Sequence, residues 1–155
     1  MQLGRHFVSR KEARDVHDTL MGMGIDLPPD GIEIDQRKGE KCYFGSGKPY
    51  LYVGESTVPT LFLINDFHPS RGNITVDDGA VPHIINGSNV FAQGITEMDP
   101  AIKKGDMVYI RNRNNQYIAV GVADRDASDI MENKKGQVIT LMHFPGDKIL
   151  KKFYS

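Results

Sequence analysis

From Ser9 to Ile25 the apolar residues Ala13, Val16, Leu20 and Met23 recur at three- and four-residue spacing, the period of one face of a helix. Ser9 and Glu12 form an S-x-x-E capping box at its start, and Gly22 and Gly24, followed by Pro28 and Pro29, stop it. Beyond Gly31 the period shortens. GIEIDQ, KCYFG, PYLYVG and TLFLIN are short runs rich in Ile, Tyr, Phe, Val and Leu, separated by RKGE, SGK and ESTVP. They read as sequential antiparallel strands. In GIEID the residues Ile32 and Ile34 alternate with acids, as in a sheet with one face on the helix and one in water. A helix on a small meander is predicted.

The charged, turn-prone stretch NDFHPSRGN (Asn65 to Asn73) reads as a domain junction, giving domains at 1–72 and 73–155. After it a strand from Ile74 to Val76 runs into DDGAVPHIING. There Asp77 or Asp78 can cap a short helix that starts at Asp78 or Gly79, with Val81, Ile84 and Ile85 facing a core and Gly87 as its stop. MVYIR and YIAVGVA, joined by NRNNQ, predict a hairpin. A helix at Ser128 to Glu132 precedes a last strand pair, QVITLMHF and GDKIL. Many short strands joined by glycine-rich turns predict a small closed or nearly closed β-barrel. The fold class is α+β.

Composition narrows the function classes. With 19 Lys plus Arg against 20 Asp plus Glu, neither half is basic overall, so a nucleic-acid partner would have to meet a local patch. Lys103, Lys104, Arg111 and Arg113, with the basic and aromatic DKILKKFYS, supply the cations such a patch needs. One cysteine, Cys42, cannot form an internal disulfide, and the charged MQLGRHFVSRKEARD is unlike a secretory signal, which suits the cytoplasm. No apolar run approaches the roughly 20 residues of a membrane span. The five histidines lack metal-ligand spacing, GSGKP lacks the rest of a phosphate-binding loop, and no Ser, His and Asp set is evident. Neither metal, cofactor nor catalysis is expected.

VDDGAVPHIINGSNVFAQGI places Gly79, Gly87 and Gly94 among good core residues, where glycine costs roughly 0.5–1 kcal/mol relative to alanine in regular structure. The glycines allow tight turns and close packing, and a sharper reading adds that they let backbone amides approach a ligand such as a phosphate oxygen; both can hold together.

That segment, followed in order by IKKGDMVYI, YIAVGVAD and ASDIMENKKGQVITLMHFPGDKIL, resembles a PUA domain, the pseudobarrel of RNA-modifying enzymes and translation factors. VPTLFLINDFHPSRGNITVDDGA resembles the multiple-copies-in-T-cell-malignancy family of ribosome-associated factors and its archaeal relatives, which place a helix-and-sheet domain before a carboxy-terminal PUA domain. The resemblance implies RNA lying across Asp78, Gly79 and Ala80, across Gly87, Ser88 and Asn89, across Gln93, Gly94 and Ile95, and at His143 and Phe144. Ala92-Gln93-Gly94 stands where such domains usually carry a small-Pro-Gly turn.

The resemblance implies a non-catalytic protein that recognises structured RNA, transfer or ribosomal, with the ribosome or a translation factor as further partner. Two alternatives stay open. One is an RNA-modification enzyme subunit or accessory; the other is an adaptor whose amino-terminal domain docks a translation factor.

Overall fold

The computed structural model describes residues 4–153. It divides into two compact units, one made of the chain up to His68 together with the segment from Lys148 on, the other running from Pro69 to Asp147.

In the first unit, strands β1 (His6–Phe7), β2 (Glu33–Arg37), β3 (Glu40–Gly45), β4 (Lys48–Val53) and β5 (Thr57–Pro59) form one antiparallel sheet in chain order. Helix α1 (Arg10–Gly22) buries Ala13, Val16 and Leu20, with Met23 at its cap only partly covered. Ser9 Oγ accepts from the Glu12 N–H at 3.1 Å, but the Glu12 carboxylate accepts from the Tyr43 hydroxyl at 2.7 Å, so only half of the expected box serves the helix end. At the other end Gly24 has φ +83°, with Gly24 N–H to Met21 and Ile25 N–H to Leu20 closing a Schellman turn.

Three further expectations change. TLFLIN is no strand: after Pro59 the chain turns into helix α2 (Leu61–Asp66), capped by Thr60, whose Oγ1 accepts from the Leu63 N–H at 3.3 Å and donates to the Pro49 carbonyl at 2.6 Å. A short apolar run fits either element, and the cap decides it. Asp35, expected in water, is buried beside Arg37, whose guanidinium lies 3.1 Å away. Finally, GDKIL forms no strand, and the segment beyond it ends in a 3₁₀ turn at Lys151–Phe153. Phe153 meets Tyr52 edge-on at 6.3 Å, Arg37 Nε donates to the Lys152 carbonyl, and Lys152 pairs with Glu40 at 2.6 Å. These contacts hold the tail to the first unit, whereas the sequence reading carried the second domain through to Ser155.

In the second unit, β6 (Asn73–Val76), β7 (Val90–Phe91), β8 (Ile95–Met98), β9 (Met107–Arg111), β10 (Tyr117–Ala123) and β11 (Gln137–His143) form a sheet in the order β7-β11-β10-β9-β6-β8. All pairings are antiparallel except β6 with β9. Its two outer strands, β7 and β8, are consecutive in the chain, separated only by the 3₁₀ turn Ala92–Gly94. At about 2 Å of rise per residue such a turn is short, so the sheet must curl until its edges approach. The result is a pseudobarrel rather than a hydrogen-bonded closed barrel. Ile74, Val76, Ile84, Val90, Ile95, Val108, Ile110, Ile130 and Ile139 fill its interior. Helices α3 (Val81–Ile85) and α4 (Ala127–Glu132) contribute Ile84 and Ile130 to it.

Candidate nucleic-acid interface

The segment from Asp77 to Gly94 folds into a U around an open cavity of about 520 Å³. Asp77 begins it. Its Oδ1 and its carbonyl both accept from the Ala80 N–H, at 2.9 and 3.2 Å, closing a turn ahead of α3. The helix therefore starts at Val81, later than the expected Asp78 or Gly79, with Pro82 in its first turn and no side-chain cap. Ala80, His83 and Ile84, at i, i+3 and i+4, present one face to the cavity. Ser88 to Phe91 form the facing wall, and Gln93 and Gly94 close the end.

The three glycines of this segment do different work. Gly87 has φ +97°, and a Cβ there would lie 2.8 Å from Cζ of Phe144, so both backbone and packing require glycine. At Gly94 a Cβ would sit 3.0 Å from that of Ala80, while the Gly94 carbonyl accepts from the Asp77 N–H at 2.9 Å; glycine here lets the two arms touch. Around Gly79 the space is open, the nearest atom being Asp77 Oδ1 at 3.5 Å.

The remaining expected residues distribute as follows. Asn89 Oδ1 accepts from the Leu141 N–H at 2.9 Å and its Nδ2 donates to Gln137 at 3.2 Å, tying the loop to β11. Ser88 is exposed on the wall, whereas Ile95 is buried in the barrel interior and does not line the cavity. His143 is 4 % exposed and its Nδ1 lies 2.8 Å from Asp147 Oδ2, which also accepts from the Phe144 N–H at 2.9 Å. Its imidazole thus fixes the end of β11 rather than offering a surface contact, and Phe144 reaches the site by packing on Gly87.

The four cations do not form one patch. Arg113 does not line the cavity; its guanidinium lies 2.8 Å from the carboxylate of Asp78, the residue between cavity-lining Asp77 and Gly79, with both side chains largely exposed. Arg111 is half-buried; its Nε donates to Thr75 Oγ1 at 3.0 Å and its Nη1 to the Tyr117 hydroxyl at 3.5 Å. Lys103 and Lys104 lie before β9 and Arg111 at its end, so the strand, about 13 Å at roughly 3.3 Å per residue, separates them. The tail cation Lys152 pairs within the first unit. Sequence proximity suggested a cluster that the direction of β9 divides.

Five residues lining the cavity lie outside the expected site set, Asp77, His83, Ile84, Val90 and Phe91, and of these His83 and Phe91 are exposed. Phe91 is 53 % exposed at the rim. Strand alternation contained the signal for it, since Val90 faces in and its neighbour must face out.

Residues 72–145 match the PUA domain, and residues 4–66 match a domain of unknown function, DUF1947. An uncharacterized protein of Methanocaldococcus jannaschii is 36% identical over 152 residues, 94% of each chain. This chain belongs to the PUA-domain proteins. The solved structure of a conserved PUA domain protein from Thermoplasma acidophilum superposes on it with a TM-score of 0.92 at 39% identity, covering 97% of this chain and 99% of that one. Translation machinery-associated protein 20 of Saccharomyces cerevisiae is 28% identical over 127 residues, 77% of this chain and 66% of the yeast protein. The U-shaped cavity lies wholly within the PUA domain. Among the described residues no group of three or more His, Cys, Asp or Glu is placed to hold a metal, and no helix is long and apolar enough to cross a membrane.

Proposed function

We propose that this PUA-domain protein binds structured RNA, transfer or ribosomal, at the cavity between α3 and the Ser88–Phe91 wall, and that it acts in the translation machinery of the cytoplasm without catalysis of its own. The observation that carries this reading is the open backbone at Gly79 beside the Arg113–Asp78 pair and the exposed ring of Phe91. Open backbone admits a ribose-phosphate chain, a guanidinium contacts phosphate, and an exposed aromatic face stacks on an unpaired base. The similarity to translation machinery-associated protein 20 supports the setting. Fluorescence anisotropy with labelled transfer RNA and ribosomal RNA fragments over a range of salt concentrations tests it. Binding that weakens steeply with salt is expected, because contact with phosphates releases counterions whatever the protein's net charge. Undetectable binding at low salt would overturn it.

The adaptor reading also has a specific observation in its favour, a groove in the first unit bounded by an exposed phenylalanine and two arginines.

A further inference from the structure

Strand β1 is one of the two outer strands of the first unit's sheet. Its Val8 N–H donates to the Ile32 carbonyl at 3.1 Å, and Phe7 pairs with Glu33. In an antiparallel ladder successive residues direct their N–H and C=O groups alternately toward the partner strand and away from it. Since Val8 turns inward, the backbone of Phe7 turns toward the open edge. Its side chain is 70 % exposed, the most exposed of the large apolar side chains among the described residues. Exposed edges with an apolar residue invite pairing by another strand, and proteins ordinarily blunt them.

Beside this edge lies a groove of about 370 Å³ whose walls include Phe7, Val8, Arg10, Arg14, Pro29 and Ile32. Arg10 and Arg14 are exposed, one turn apart on α1, and neither makes an ion pair among the described residues. Like charges at i and i+4 repel, and cations in a first helical turn oppose the helix dipole, each by a few tenths of a kcal/mol. Helix stability therefore gives no reason for Arg10, while Arg14, past the first turn, has the opposite charge of Asp18 at i+4. Asp30 adds one carboxylate to the rim, leaving the groove positive on balance.

We propose that β1 and this groove receive an extended acidic segment of a partner protein. The segment pairs with the outward backbone of Phe7 as an added strand, places an apolar side chain against Phe7 and Pro29, and sets carboxylates on Arg10 and Arg14. Strand addition supplies affinity through main-chain hydrogen bonds and specificity through alternate side chains. A ribose-phosphate backbone carries no alternating N–H and C=O groups to extend the sheet and gains little from the apolar wall. The inference rests on the adaptor reading and not on RNA binding by the PUA domain.

The test is an amide NMR titration of the isotope-labelled full chain with a short synthetic peptide alternating valine and glutamate, its lysine counterpart, and a short oligouridine. The acidic peptide should perturb Phe7, Val8, Arg10 and Arg14, and the lysine peptide should not. The double variant Arg10→Glu, Arg14→Glu changes only exposed side chains, so it should fold, bind the acidic peptide at least roughly tenfold more weakly, about 1.4 kcal/mol, and gain affinity for the lysine peptide. RNA anisotropy should be unchanged in that variant. Perturbation elsewhere on the first unit would retain an adaptor and remove this groove, and no perturbation of that unit by either peptide would remove both. Perturbation of the groove by oligouridine alone would overturn the proposal in favour of RNA.

Discussion

Gly87 and Phe144 are locked together: the ring of Phe144 fills the space that a side chain at Gly87 would need, leaving 2.8 Å between its Cζ and an added Cβ. The loop after α3 is thereby held against the end of β11 by a glycine with φ +97°. Gly87→Ala combines strain at a positive φ with displacement of that ring, so it should lower stability by about 1–3 kcal/mol. Thermal melting of the variant checks this. A melting curve matching the parent's would mean that the loop is free of Phe144.

Because Gly87 is structural, it is a poor reporter of RNA. Gly79 is a better one. Its surroundings are open and its backbone is not left-handed, so Gly79→Val should melt close to the parent yet bind RNA more weakly, by the loss of close backbone approach. Anisotropy beside melting decides the matter. Equal affinity in a folded variant would move the RNA away from this turn.

The direction of β9 separates the cations into two ends, which predicts unequal effects. Arg113→Ala should weaken RNA binding and reduce its salt slope by about one. Lys103→Ala with Lys104→Ala, at the far end of β9, should leave the slope nearly unchanged. If the lysine pair proves the more damaging, the interface lies at the opposite end of the barrel.

Tyrosine ionisation gives a pH prediction for the first unit. Burial, reinforced by hydrogen bonds to Asp66 and Glu40, pushes Tyr50 and Tyr52 up to about 12. A folded-state value raised above the ordinary 10 favours the folded form while the phenol stays protonated. That stability is fully present below pH 10 and is lost as pH rises toward 12, because the unfolded chain releases these protons first. The ultraviolet absorbance of tyrosinate should therefore rise late and together with unfolding. Tyr50→Phe should make that alkaline transition shallower. The partners act at the other extreme. Hydrogen bonds from Lys152 and Tyr52 hold Glu40 low. For Asp66 burial works upward, but hydrogen bonds from Tyr50 and Lys48 outweigh it. Their contribution is present above the ordinary carboxylate range and fades on acidification below it.

The tail belongs with the first unit through Phe153, Lys152 and their partners Tyr52, Arg37 and Glu40. A fragment of residues 69–147 should then give a dispersed amide spectrum by itself, since it contains the whole interior of the pseudobarrel. Phe153→Ala in the full chain should cost about 3–5 kcal/mol at most, the range for a fully buried ring, and only in the melting of the first unit. A collapsed spectrum from the fragment would show that the units share their stability.

The sequence by itself determined what depends on neighbours a few residues apart. The face of α1 follows from Ala13, Val16 and Leu20, the hairpin of β9 and β10 from β-rich runs about a turn-forming loop, and the PUA resemblance from ordered motifs. Local rules cannot see what competes from a distance. The Tyr43 hydroxyl claims the Glu12 side chain from its capping box, and Thr60 turns an apolar run into α2 while bonding the carbonyl of Pro49. Six of the expected residues, Gly79, Ala80, Ser88, Asn89, Gln93 and Gly94, line the cavity, and tertiary structure decided the placement of the others. Buried against Asp147, His143 became a brace, Lys103 and Lys104 were carried a strand's length from Arg111, and Phe91 was turned out beside His83. The Tyr43–Glu12 and Thr60–Pro49 bonds join residues distant in the chain and the direction of β9 parts the cations, which spacing does not record, whereas the His143–Asp147 brace spans four residues and the outward turn of Phe91 follows strand alternation.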